Sequence, residues 1–375
     1  MTETDGNDYA IVVKYVRFGL TKDFLGLLTS LKKAGVKTIV VCNGTLSDKD
    51  RAILKTYVHR ILVRQNIGRD MGAYRAATLH LHKTGLRPHR MLYFNDSVIY
   101  LDNTHLETLI RNLVQSNFDV VGTFENHQIH HHIGSYALSI SGAVFSDKRV
   151  LKFWKGYRPY DLRPHAIRRG EIAYSILLKK LGYRLDVIYS ADKLARLLSR
   201  MELEQITGML QFMRPSFRMQ PLPDLLKQPM SAIRLVPRMK KVLPRRNTQP
   251  VSGTPTIKNY RSSRNISIAP SEREEGIRDV TVQLARQSLI DRIMLDITAG
   301  SQIHMGFGLF HRIMHCPLIK KDLLFRGIYH EHDCAMIIQG IPDEDRDFAM
   351  RELINRGRNL SISQYNNFLM FYGLV

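Results

Sequence analysis

Within the seven residues Asn66-Ile67-Gly68-Arg69-Asp70-Met71-Gly72 the chain sets a guanidinium, a carboxylate and two glycines side by side. The segment follows the apolar run Ile61-Leu62-Val63 and precedes a helical pattern from Ala73 to Lys83. A strand, a tight turn and a helix start therefore meet there. Such a junction offers backbone N–H groups and the positive end of a helix dipole to an anion. Arg69 adds a fixed charge suited to a phosphate, and Asp70 an acceptor suited to a ribose or base. A second apolar run, Met91-Leu92-Tyr93-Phe94, ends in Asn95-Asp96-Ser97. Asn, Asp and Ser all shape turns through their side-chain oxygens, and a carboxylate just past a strand is also placed to touch a ligand.

Other groups invite chemistry less directly. Glu171 is expected at a helix start, where an acid complements the dipole, and a carboxylate near a hydroxyl can act as general base. His127, His130, His131 and His132 are close in sequence, but three successive side chains on an extended segment cannot all face one ion, and zinc needs convergent ligands. Trp154 sits on a helical stripe with Val150 and Leu151, a pattern of core packing rather than of a sugar-stacking platform.

Alternating elements must position these groups. Strands are expected at 10–16, 38–43, 61–63, 91–95, 118–122, 136–145 and 184–189. Helices are expected at 21–34, 47–57, 73–83, 102–117 and 171–181, the last closed by Gly182. Strands alternating with helices, with near-continuous apolar strands, predict an α/β fold: a mostly parallel Rossmann-type sheet covered on both faces. Two such strand ends, at Asp70 and Asp96, on one sheet edge predict a nucleotide site. Periodicity dissolves from about 220 to 270. Ser271-x-x-Glu274 then opens a helix as a capping box, and further helices follow, one over 343–356. The expected organisation is an α/β domain over 1–200, a basic, partly disordered linker over 201–270 and a helical region over 271–375.

Taken as an ordered series, Asn66-Ile67-Gly68-Arg69-Asp70-x-Gly72, Asn95-Asp96-Ser97-Val98, His132-x-x-Ser135-Tyr136, Phe153-Trp154, Glu171 and Gly182-Tyr183 resemble the rhamnan synthesis protein F family of polysaccharide glycosyltransferases. The resemblance covers residues 10 to 195. It implies a GT-A-like domain that takes a sugar, such as rhamnose or another deoxyhexose, from a nucleotide-sugar donor. The acceptor would be a surface polysaccharide or a lipid-linked precursor, and the displacement would invert the anomeric centre. It makes Glu171 the catalytic base. It makes Asn66, Gly68, Arg69, Asp70, Asn95, Asp96 and Ser97 donor contacts, and His132, Ser135, Tyr136 and Trp154 acceptor or diphosphate contacts. Asp96 would hold a divalent metal, Mg²⁺ or Mn²⁺. GT-A enzymes often carry Asp-x-Asp there, whereas this chain has one carboxylate, which weakens that implication. Pro317-Leu318-Ile319-Lys320-Lys321-Asp322-Leu323 resembles, more loosely, a tail seen in polysaccharide glycosyltransferases. Its lysines either face solvent or face a lipid diphosphate or membrane surface.

Composition bounds the rest. The chain has 375 residues, 44% of them hydrophobic and 24% charged, as globular proteins do. Three cysteines without CxxC spacing favour a reducing compartment. Neither a signal peptide nor an apolar run of membrane-spanning length is evident. The formal charge is +21, and residues 201–270 hold 12 Lys or Arg against 3 Asp or Glu. Those basic residues lie among Pro, Ser and Met rather than on a patterned face with aromatics, so nucleic acid is not the expected partner. An anionic membrane surface is, which places the protein at the inner face of the cytoplasmic membrane. A non-catalytic glycan- or partner-binding module on the same fold, or a nucleic-acid-binding protein, are the alternatives.

Overall fold

The computed structural model describes residues 6–101, 104–219, 270–357 and 368–369. Contacts divide the chain into two units, Met1–Gln220 with Ile290–Val375, and Pro221–Leu289. Of the second unit, the described residues form the first part of one long helix. Most of the expected linker, 220–269, lies outside the described residues.

The first unit begins with alternating strands and helices. These are β1 (Asp8–Tyr15), α1 (Lys22–Lys33), β2 (Lys37–Asn43), α2 (Asp48–Tyr57), β3 (Arg60–Arg64), α3 (Arg69–Lys83) and β4 (Arg90–Asn95). A short β5 (Val98–Tyr100), α4 (Thr104–Val114), β6 (Val120–Gly122), a hairpin of β7 (Glu125–Asn126) and β8 (His132–Ile133), and β9 (Ala137–Ser141) follow. Then come α5 (Gly142–Ser146), α6 (Lys148–Gly156), α7 (Arg163–His165), a π-helical turn (Ala166–Ile172), α8 (Ala173–Lys180) and β10 (Leu185–Val187). Seven strands form one sheet in the order β10-β6-β9-β4-β1-β2-β3. All neighbours run parallel except β9, which is antiparallel to both β4 and β6. This is the mostly parallel sheet expected from the strand pattern. Val12 pairs with Val40 on one side and Phe94 on the other, and all three are buried. A strand covered on both faces has no polar face to alternate, which is why β1 reads as a continuous apolar run.

The helices cover the sheet through their apolar stripes. Leu27, Leu28 and Leu31 of α1 and Leu106, Leu109, Ile110 and Leu113 of α4 are fully or almost fully buried. Each such side chain contributes about 1.5–3 kcal/mol relative to exposure. Ser47 caps α2 by accepting from the Asp50 N–H at 3.1 Å.

Three expectations need correction. The helix expected from Ala73 begins at Arg69, so Arg69 and Asp70 lie in its first turn. The strand expected over 136–145 ends at Ser141 and a helix starts at Gly142. A Cβ there would sit 2.1 Å from the Pro88 carbonyl, so only glycine allows the chain to turn so closely. Glu171 does not open a helix. It lies inside a helical run from Arg163 to Lys180, within the π-helical turn.

After β10 come α9 (Ala191–Leu198), α10 (Leu203–Met209), α11 (Pro215–Arg218) and α12 (Pro270–Thr298). The basic segment expected from 201 thus begins with helices. The chain continues with α13 (Gln302–Met305), α14 (Phe307–Met314), β11 (Leu318–Lys320), α15 (Glu331–Ile337) and α16 (Asp343–Asn355). From Ile290 onward this region belongs to the first unit. β11 pairs antiparallel with β5, matching Lys320 to Val98. Lys22 reaches Asp345 at 2.9 Å, and Lys321 reaches Glu352 at 3.1 Å and Asp23 at 3.7 Å.

Candidate active site

The turn after β4 forms the floor of the site. Asn95 is buried, and its Oδ1 accepts from the Ser97 N–H at 3.1 Å and the Ser97 hydroxyl at 2.6 Å. The Tyr100 hydroxyl reaches the carbonyls of Asn95 at 2.6 Å and Tyr136 at 3.0 Å, which ties the end of β4 to the start of β9. Asn95 and Ser97 therefore shape the turn, and Asp96 is left at its tip. One oxygen of Asp96, Oδ2, accepts the Tyr15 N–H at 2.9 Å and lies 3.6 Å from the buried Lys14 ammonium.

The second strand end lies beside it. Arg64 donates to Asn43 Oδ1 at 2.7 Å and the Ile67 carbonyl at 2.6 Å, which orders the loop before α3. Asn66 is exposed in that loop. Gly68 and Arg69 both have positive φ, 76° and 53°. Gly68 is required twice over, because a Cβ would also lie 2.2 Å from Pro159. An Arg in the left-handed region is uncommon, and such strain concentrates at functional sites. The Gly68 N–H donates to Asp161 Oδ1 at 2.6 Å, and Arg69 Nε to the Asp161 carbonyl at 2.8 Å. An internal carboxylate thus already occupies part of the anion cradle expected from the sequence. Burial pushes the Asp70 carboxyl up to about 7, with the charges of Asp96 and Glu171 adding to the rise and Lys320 and Arg69 opposing it.

Glu171 projects from the π-helical turn. The Ser135 hydroxyl donates to its Oε1 at 2.5 Å, and His132 Nε2 lies 3.7 Å from its Oε2. Ser135 and His132 are both buried, and the Ser135 carbonyl accepts the Tyr74 hydroxyl at 2.8 Å. The preceding Gly170 lets Met71 of α3 approach, since a Cβ would sit 2.8 Å from Met71 Cγ. The wide turn and this glycine together bring Glu171 to the helix that carries Asp70.

Lys320, at the end of β11, completes the group. Its ammonium donates to Ser97 Oγ at 2.8 Å and lies 4.6 Å from the centre of the Tyr136 ring. Burial pulls its pKa down, and Asp322, Glu171 and Asp70 resist that. Arg163 behaves alike: burial lowers it, while Asp322 and Glu171 hold its charge. Asp322 is itself hydrogen-bonded to His304 Nε2 at 2.8 Å and ion-paired with Arg326. Lys320 is half-buried against Ser97 and Tyr136, and Lys321 is buried. Sequence reasoning left Lys320, Lys14 and Arg163 out of the site. The one available signal was a lysine ending an apolar strand, at Val13-Lys14 and Ile319-Lys320.

Trp154 is not an acceptor platform. It is 2% exposed and packs on Phe153 and Tyr174 in the core. The Tyr136 backbone braces the turn and its ring lies against Lys320. The residues at the sheet edge fit Mg²⁺ or Mn²⁺ poorly. Asp96 has one oxygen engaged by the Tyr15 N–H and the Lys14 ammonium beside it, whereas such ions want several free oxygen ligands. Fixed ammonium groups supply the positive charge there. Among the described residues, one grouping of three His, Cys, Asp or Glu side chains comes within reach of a single ion, at Glu125, His127 and His131. His132 faces Glu171 instead, as the extended spacing requires.

Residues 38–222, which carry this edge except for Lys320 and Lys14, match the family described as Rhamnan synthesis protein F. Through this stretch the chain is similar to the rhamnan synthesis protein F family. A curated relative, Uncharacterized protein y4gN of Sinorhizobium fredii, is 30% identical over 209 residues, 55% of this chain and 54% of its own length. The chain thus spans about half of that relative. Solved structures with some likeness include a 4-diphosphocytidyl-2C-methyl-D-erythritol synthase (15% identity, 48% of this chain and 89% of that one, TM-score 0.32). The glycosyltransferase GlyE of Streptococcus pneumoniae TIGR4 is 10% identical, over 47% of this chain and 43% of that one, with a TM-score of 0.28. The inositol-1-phosphate CTP transferase of T. maritima is 12% identical, over 50% and 87%, with a TM-score of 0.31. The strand order of the chain, rather than such distant likeness, defines its fold.

Proposed function

We propose that this protein, similar over residues 38–222 to the rhamnan synthesis protein F family, is a glycosyltransferase. It moves a sugar from a nucleotide-sugar donor to a surface polysaccharide or its lipid-linked precursor. One observation carries the reading: Glu171, oriented by Ser135 and His132, shares a sheet edge with Asp70, Asp96 and the half-buried Lys320. A base and a cation held in fixed opposition suit a displacement that takes up a proton on one side and releases an anion on the other.

In the proposed reaction Glu171 takes the acceptor hydroxyl proton as that oxygen attacks the anomeric carbon. The bond from this carbon to the diphosphate breaks, and its electron pair leaves with the nucleoside diphosphate. Lys320 and Arg69 neutralise the leaving charge, and Asp96 or Asp70 accepts hydrogen bonds from ribose. A single displacement of this kind inverts the anomeric centre. The family's description favours a deoxyhexose such as rhamnose as the sugar. The catalytic domain is proposed to extend beyond residue 200, because β11 delivers Lys320, and the basic stretch over 201–270 would hold the enzyme at the inner membrane face.

A thermal-shift screen of nucleotide sugars tests the reading. At about 100 times its dissociation constant the correct donor should stabilise the protein by roughly 2.7 kcal/mol. Stabilisation by free glycans and by no nucleotide sugar would instead identify a binding module on the same fold.

A further inference from the structure

The β7–β8 hairpin gathers Glu125, His127 and His131, which the transfer reading does not use. Asn126 pairs with His132 across the hairpin, and that register sets His127 opposite His131. Gln128 N–H donates to Asn126 Oδ1 at 2.8 Å and closes the turn. Glu125 Oε2 lies 2.6 Å from His131 Nε2 and 3.4 Å from His127 Nε2. The two rings meet edge to face with centroids 4.6 Å apart. One ligand atom from each of the three residues lies within 4.8 Å of the other two.

The hairpin holds this arrangement firmly. Gly134 N–H donates to the Phe124 carbonyl at 3.0 Å, Ile133 N–H donates to Ser175 Oγ at 3.1 Å, and Asn126 bridges to Ser301. Lys179 meets His131 at Nδ1 and Nε2 turns toward Glu125, so a metal on Nε2 would move the imidazole proton to Nδ1 and displace the Lys179 ammonium from it. The Glu125 side chain is 14% exposed and that of His127 44%, so the cluster is backed by protein on one side and open on the other.

The geometry points to a divalent transition-metal site of the zinc or cobalt class, held by Glu125 Oε2, His127 Nε2 and His131 Nε2. Two imidazoles and a carboxylate are a donor set these ions accept, and three protein ligands leave a position for water or another oxygen ligand. Tetrahedral bonds of about 2.0–2.2 Å hold ligand atoms roughly 3.3 Å apart, so side-chain rotation alone brings the three into place. The bland alternative is a metal-free ion pair between Glu125 and its histidines.

The test uses the full chain without an affinity tag, stripped by chelator and dialysed. Zn²⁺ is titrated calorimetrically, and Co²⁺ binding is followed by its visible absorption. One saturable equivalent is expected, with a tetrahedral Co²⁺ spectrum. Glu125→Gln and His127→Ala should each weaken Zn²⁺ binding at least tenfold, and the nearby His130→Ala should leave it intact. His127 is exposed, so its substitution keeps the test decisive if a change at His131 disturbs the fold. Absence of saturable binding in the wild type, or binding unchanged in Glu125→Gln and His127→Ala, overturns the assignment.

Discussion

Asp70 shows how far the sheet edge departs from ordinary surface chemistry. Its folded pKa of about 7 stands above the roughly 3.9 of an unfolded Asp. Between those values the native state holds a proton that the unfolded chain has released. Native stability from this group therefore falls as pH rises from about 4 to about 7. Asp70→Asn removes the titration while keeping the shape. Its stability relative to wild type should rise across that window, by about 1–3 kcal/mol at pH 8, and show no such gain below pH 4. Melting temperatures of both proteins at pH 4, 6 and 8 check this, and a pH-independent difference would remove the raised carboxyl from the account. Asp70, Asp96 and Arg69 were legible in the sequence because each ends a strand or starts a helix, where a side chain has few ways to be buried. The engagement of Gly68 by Asp161 was not legible, because the two are far apart in sequence and no local pattern links them.

At the scale of elements, two devices build the site: the π-helical turn that carries Glu171 and the β11 strand that carries Lys320. Alternating apolar strands and helices showed in the sequence because burial on both sheet faces imposes their periods. The π-helical turn did not show. One extra residue in a helix leaves the apolar stripe almost intact, so Glu171 read as an ordinary first-turn acid. β11 was equally hidden, since three residues that pair far along the chain with β5 carry no pattern of their own. The strand expected through Phe145 failed because Gly142 permits a close turn that alternation cannot reveal. The convergence of His127 and His131 also escaped, because hairpin register rather than adjacency creates it. Lys320→Met keeps the length of the side chain and removes its charge. It should weaken donor binding by about ten- to a hundredfold, the worth of a charge-assisted hydrogen bond of roughly 1.5–3 kcal/mol, with the fold retained. Calorimetry with the donor found by screening checks this, and unchanged affinity would leave Lys320 a structural residue only.

For the whole molecule, charge and catalysis make separate claims. No helix among the described residues is long and apolar enough to cross a membrane. The surplus of 12 Lys or Arg over 3 Asp or Glu in residues 201–270 suits an anionic surface. Each basic residue near such a surface contributes about 1 kcal/mol, lost at high salt. Co-sedimentation should require anionic liposomes and weaken when Arg238, Lys240, Lys241, Arg245 and Arg246, which lie outside the described residues, are neutralised. Indifference to anionic liposomes at low salt would refute surface attachment and leave the chemistry untouched. The proposed chemistry rests on Glu171. Glu171→Gln preserves shape and hydrogen bonding while removing the basic lone pair, and a positioned general base contributes about 10² to 10⁴ in rate. Measured with the donor and acceptor in hand, this variant should bind the nucleotide sugar as the wild type does and transfer it at least a hundredfold more slowly. Transfer at a near-wild-type rate would contradict the account.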